Sequence, residues 1–302
     1  MDRVLFIQAG SKPVRRPAGA ASPKVFGPHR LAEFLVAAIT LAAAVAPPTS
    51  AAWPGRIILP SRVAPARNVE IHGLTAARSE VVRLRAEEMR RRVYAELLGT
   101  YAPRPWRVPC HVHVHQSAAS FEEAVGGPPA AASGATSIEF AGDDVSLRRI
   151  DVMGDGPDGL PDALAHELVH VVLVERFPLA PPPRWADEGL AVLFDPAEKQ
   201  AGHAADFEAA RRDGMVWSAA HLLEMEKYPE ETGRQRVFYG QSAALVRWLI
   251  ARRDAGTFVA FIEDLTVDGA AVALERHYGF ASTEALDRAW LGGPAGSDVG
   301  ID

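Results

Sequence analysis

Residues 166–170 read His-Glu-Leu-Val-His. On an α-helix, positions four apart share a face, so the two imidazoles can reach one ion at about 2.0–2.1 Å. Glu167 is displaced by about 60° from His170 on the helical wheel. That sets its carboxylate beside the ion rather than on it, where it can take a proton from an activated water. From Ala163 to Val174 every other residue is apolar. Such a helix is buried nearly all round, and the polar groups it carries need partners. A divalent cation satisfies both histidines and the glutamate.

A catalytic zinc site needs a third protein ligand and an open position for water. The stretch Arg184-Trp185-Ala186-Asp187-Glu188-Gly189-Leu190-Ala191 offers two carboxylates. They lie about 100° apart on a helix. Glu188, among Trp185, Leu190, Val192 and Leu193, is the expected ligand, and Asp187 is its competitor. Gly189 would let the two helices approach closely. The expectation is one zinc per chain on His166, His170 and Glu188, with Glu167 as general base.

The elements that must position these residues follow from periodicity and from glycine and proline. A helix is predicted over 76–98, with Val81, Leu84, Met89, Val93, Leu97 and Leu98 as its apolar stripe and Gly99 just past its end. Its arginines alternate with glutamates, the pattern of a solvated face with ion pairs one turn apart. Strands are predicted for RIILP after Trp53, for 110–115 (CHVHVH), for 134–140 and for 145–153, the last two joined by a turn at AGDD. A short helix is expected over 117–125. The zinc helix should run from Pro161 to Phe177 and the ligand helix from Arg184 to about Phe194. Further helices follow at about 203–213, 218–226, 236–253, 256–265, 269–277 and 282–290. The chain is therefore α+β. A small mixed sheet with helices over 53–178 ends in the H-E-x-x-H helix, a helical lobe over 179–291 carries the third ligand, and the tail over 292–302 is expected to be disordered.

Composition narrows the function classes. A net charge of −6 over 302 residues supplies no basic field for nucleic acid. Cys110 is the sole cysteine, which excludes an intrachain disulfide and a cysteine-built zinc site. His111, His113 and His115 share one strand face, but neighbours along it are about 7 Å apart, too far to converge on one ion; a half-exposed strand is the expectation. Residues 31–46 form a short apolar run preceded by Arg3, Lys12, Arg15, Arg16, Lys24 and Arg30, and followed by a small-x-small site at Ser50 and Ala52. Residues 1–52 thus read as a secretory signal or an N-terminal membrane anchor. Either places the rest of the chain outside the cytoplasm: periplasmic, secreted, or on the outer face of the cytoplasmic membrane.

HELVH followed by PRWADEGLA resembles the gluzincin zinc metallopeptidases, and among them the bacterial peptidase MA-like group. FYGQSAALVRWLI at 238–250 is similar to that group's Y-x-Q-S helix. The resemblance implies a zincin-like fold, a peptide or protein substrate, Glu188 as third ligand, and an edge strand that pairs with extended substrate, expected at 145–153. A peptidase of this type also needs a donor for the oxyanion. Tyr239 is the first choice, with His203 and His221 as alternatives. One position departs from the pattern. Thermolysin-like enzymes hold a zinc histidine with an aspartate four residues after the ligand glutamate, and Val192 stands there. The rival reading is a non-catalytic, zinc-stabilised binding or scaffold module of the cell envelope. The sequence assigns no oligomeric state.

Overall fold

The computed structural model describes residues 3–8, 67–126, 133–154, 160–178 and 181–292. The expected apolar signal segment at 31–46, the RIILP strand and almost all of the tail lie outside them. Among the described residues no helix is long and apolar enough to cross a membrane.

The described chain is mixed α+β. Strands β1 (Arg3–Gln8), β2 (Val69–His72), β3 (Cys110–His115), β4 (Gly134–Ala141) and β5 (Asp144–Met153) form one sheet in the order β1-β4-β5-β3-β2. β4 pairs antiparallel with β1 and β5, whereas β3 runs parallel to both β2 and β5. Helix α1 (Ala76–Leu98) makes the parallel crossover from β2 to β3, and its C-cap Gly99 adopts φ 61°, the left-handed conformation in which glycine avoids a Cβ clash. Helix α2 (Ala118–Val125) is capped by Ser117, whose side chain accepts from the Ser120 amide.

Period-two alternation gives the sheet two unlike faces. Val69, Cys110, Val112, Ile138, Ile150 and Val152 are all fully buried. They face the core with α1 and with α3 (Leu164–Arg176), the helix of the H-E-x-x-H residues. The opposite face carries Glu70, His72, His111, His113 and His115, which are exposed or half-buried.

Several expectations need correcting. β5 is not an edge strand: it is paired on both sides, and the edge next to β4 is taken by β1. The stripe of α1 is rotated in its first half, leaving Val81 and Leu84 more than half exposed and burying Val82 and Ala86 instead. Both alternatives fit a helical period, and only the position of the sheet selects between them. Arg83, Arg85 and Arg92 do pair with glutamates one turn away, yet Arg90 is buried, its guanidinium over the Trp106 ring at 4.5 Å. Finally, α3 begins three residues later than Pro161, which instead accepts the Leu164 amide in a turn.

The remaining elements are helices: α4 (Arg184–Val192), α5 (Ala197–Arg212), α6 (Ala219–Leu223), α7 (Thr232–Arg252), α8 (Ala255–Asp268), α9 (Ala270–Tyr278) and α10 (Thr283–Trp290). α7 packs against both α4 and α5, and two glycines permit it. A Cβ on Gly189 would meet Val246 Cγ2 at 2.5 Å and the Ser242 carbonyl oxygen at 2.8 Å, while one on Gly240 would meet the His203 carbonyl oxygen at 2.3 Å. The close approach at Gly189 is thus between α4 and α7 rather than between α3 and α4. Buried Gln241 on α7 accepts from the Trp217 amide and donates to its carbonyl, pinning the loop before α6.

Candidate metal centre

α3 presents His166 and His170 on one face, and α4 brings Glu188 against them. One ligand-type atom from each lies within 4.8 Å of the others, and all three residues are buried. Glu188 Oε2 is 3.2 Å from His166 Nε2 and 3.9 Å from His170 Nε2. Donors bound to one tetrahedral ion at ~2.0–2.1 Å stand about 3.3–3.4 Å apart, so these separations suit a shared cation. His170 Nε2 is buried without a hydrogen-bond partner among the described residues. An orphaned imidazole nitrogen aimed at a carboxylate cluster is costly unless something else engages it.

The outer nitrogens are both held. His166 Nδ1 faces Asp195 Oδ2 at 3.2 Å, and His170 Nδ1 faces Asp187 Oδ1 at 2.9 Å. Both carboxylates are buried, and Lys199 Nζ donates to Asp195 Oδ1 at 2.9 Å. Each histidine therefore has one nitrogen fixed by an acid and the other directed at Glu188, the arrangement that sets tautomer and ring orientation at metal sites. Asp187, the competitor for the ligand position, instead orients His170. Asp195 thus supplies the carboxylate against His166 Nδ1 that Val192, four residues after Glu188, cannot. It stands seven residues after Glu188, beyond the end of α4.

Glu167 points to the sheet. Its Oε2 accepts from Thr136 Oγ1 on β4 at 2.6 Å, and its Oε1 has no hydrogen-bond partner among the described residues. A Cβ on Gly134 would stand 2.5 Å from that oxygen, so the glycine leaves room for it. Tyr228 donates to Glu188 Oε1. Tyr239 is buried, with its ring centroid 6.2 Å from that of Tyr228 and 5.7 Å from that of His203. His203 is buried too, whereas His221, on α6, stacks on Trp217 of the preceding loop. Thr136, Gly134, Tyr228 and Asp195 carry no local motif that would have marked them.

The charges are tightly coupled. Burial alone would depress the His166 imidazole, but the Asp195 and Glu188 carboxylates outweigh it and raise its pKa to about 10. Burial opposes His170 as well, and Asp187 raises it. Glu188 is held below the usual carboxylate range because its hydrogen bond to His166 and the two imidazole charges outweigh its burial. Glu167 is raised, chiefly by burial. Burial depresses His203 to about 4, which keeps it neutral. At neutral pH the metal-free site keeps His166 protonated. A cation taking its Nε2 would have to expel that proton, so its binding would be expected to strengthen as pH rises toward 10.

No protein-family model, curated protein or solved structure matches this chain.

The role of Asp195 is measurable. Asp195→Asn should weaken metal affinity by about 10–100-fold, the usual cost of losing a carboxylate behind a metal-binding histidine. Competition against a chromogenic chelator reads this directly. Unchanged affinity would mean that Asp195 serves Lys199 rather than the site.

Proposed function

We propose that this chain is a zinc-dependent peptidase of the gluzincin type with a zincin-like fold, acting on peptide or protein substrates outside the cytoplasm. The observation that carries the reading is the pairing of two unmet groups. His170 Nε2 lacks a partner within the His166, His170 and Glu188 set, and Glu167, the neighbour of His166, has one carboxylate oxygen held and the other without a hydrogen bond among the described residues.

When bound, zinc would supply Lewis acidity, polarising the scissile carbonyl and lowering the pKa of water. The rest falls to the chain. Glu167 accepts the proton through Oε1 and passes it to the leaving nitrogen, while Thr136 keeps the carboxylate in one rotamer through Oε2. Asp195 and Asp187 hold the imidazoles in orientation, and Tyr228 holds Glu188. Tyr239, kept protonated by burial, is the proposed oxyanion donor. The strand beside Glu167 is β4, so an extended substrate adding to the sheet would take the place of β1. Removal of the N-terminal segment as a signal would leave that edge free.

A second reading, a non-catalytic zinc-stabilised binding or scaffold module, draws on the burial of the ligands: none is more than 1% exposed, as in closed structural sites. One experiment separates the two. The zinc-loaded chain is incubated with a denatured protein mixture, and new termini are identified by mass spectrometry. New termini that disappear with a chelator and return with zinc are expected. Their absence from a folded, zinc-loaded sample would leave the scaffold reading in place.

A further inference from the structure

The face of the sheet turned away from the buried centre holds a second set of metal-type donors. The register of parallel strands β2 and β3 sets Glu70 opposite His111 and His72 opposite His113. Histidines alternating along one strand are too far apart to share an ion. A neighbouring strand, however, lies only about 4.8 Å away. β2 therefore supplies what β3 lacks. His72 Nε2 is 3.2 Å from His111 Nδ1, and that nitrogen is 3.5 Å from Glu70 Oε2. Ligand-type atoms of all three residues lie within 4.8 Å of one another.

We infer that Glu70, His72 and His111 form a second divalent-cation site, on the sheet surface and independent of the buried centre. The two short separations bracket the roughly 3.3–3.4 Å expected between donors on one tetrahedral ion at ~2.0–2.1 Å. Two imidazoles and one carboxylate select a borderline transition cation such as Zn2+, Ni2+ or Cu2+ over Mg2+ or Ca2+. His113 stacks on His72 at 4.5 Å and 17° and so restrains its ring. His115 is committed elsewhere, 2.7 Å from Asp151 Oδ1. Glu70 and His72 are exposed, which gives the ion direct exchange with solvent and leaves its outer position to water. β2 has four residues and, among the described residues, lies at the sheet edge, bonded only to β3. A cation across Glu70, His72 and His111 would clip that strand, and the start of α1 behind it, to the body of the sheet.

The test is calorimetric titration of the stripped full chain with Zn2+, beside the His72→Ala/His111→Ala and Glu188→Ala variants. Glu70→Gln serves as a conservative control that keeps both rings, and circular dichroism checks that each variant retains its fold. Two equivalents are expected for the wild type. His72→Ala/His111→Ala should lose only the readily exchanged equivalent, and Glu70→Gln should weaken that same one. Retention of both equivalents by the double variant would overturn the proposal, as would a wild type whose single equivalent disappears in Glu188→Ala. A wild type whose single equivalent survives Glu188→Ala but not the double variant would support the surface site and remove the buried one.

Discussion

Glu167→Gln is expected to lower peptide hydrolysis by about 10²–10⁴-fold, the usual contribution of a positioned general base, while leaving zinc content unchanged. The substitution keeps the shape of the side chain, and Thr136 Oγ1 can still donate to the retained carbonyl oxygen. What is lost is basicity at the atom beside Gly134, where the glutamate keeps an oxygen with no hydrogen-bond partner among the described residues. Stability should not fall, because burial already disfavours the charged form of Glu167 and an amide carries no charge to desolvate. The measurement is initial rate on a cleaved protein substrate, with elemental analysis of the same sample. A variant with full zinc and more than a tenth of the wild-type rate would show that Glu167 is not the base. Loss of zinc together with activity would show that the side chain supports the metal instead.

Glu188→Ala carries the second large effect: the buried zinc equivalent should be lost, and the metal-free protein should also be destabilised. Glu188 is fully buried, faces both imidazoles and accepts from Tyr228. Truncation leaves a protonated His166 and a tyrosine hydroxyl with no acceptor on that side. Breaking a buried ion pair on one side costs about 3–5 kcal/mol. Glu188→Gln separates the two consequences, since the amide fills the space and accepts from Tyr228 but is a poor ligand for zinc. The readouts are metal per chain by elemental mass spectrometry and the melting temperature with and without zinc. Zinc retained in full by Glu188→Ala would assign the third ligand elsewhere, with Asp187 the nearest acid on the same helix. A zinc-dependent rise in melting temperature that vanishes in both variants would tie the stabilisation to this carboxylate.

The residue four after Glu188 is Val192, yet His166 is not left without a partner. Fully buried in α4, Val192 packs in the core, while Asp195 approaches His166 from the turn that follows the helix. The chain thus reaches the same nitrogen from a position past the helix end. Lys199, one turn further on in α5, neutralises the added carboxylate. Behind the proposed ligands, Asp187, Asp195 and Lys199 are buried and paired, and Glu167 and neutral His203 are buried beside them.

Local geometry accounts for what the sequence determined by itself. His166, Glu167 and His170 are legible because a helix imposes its own spacing, and an apolar setting forces buried polar groups to find partners. Glu188 is one of two adjacent carboxylates on the next helix, and its place on the helical wheel together with the resemblance favours it over Asp187. Strands β3, β4 and β5 and most helices were legible too, since their signals lie within a few residues, but β1 and β2 were not expected, β1 falling within the stretch read as a signal. Tertiary structure alone decided the rest. Thr136 and Gly134 reach Glu167 only because β4 lies under α3, and Asp195 reaches His166 only because the chain turns after α4. His72 meets His111 only because β2 pairs in register with β3, a strand pairing that no repeat along β3 could reveal. In each case the contact joins residues far apart in sequence, and their meeting depends on how helices and sheet share one core, which no local period encodes.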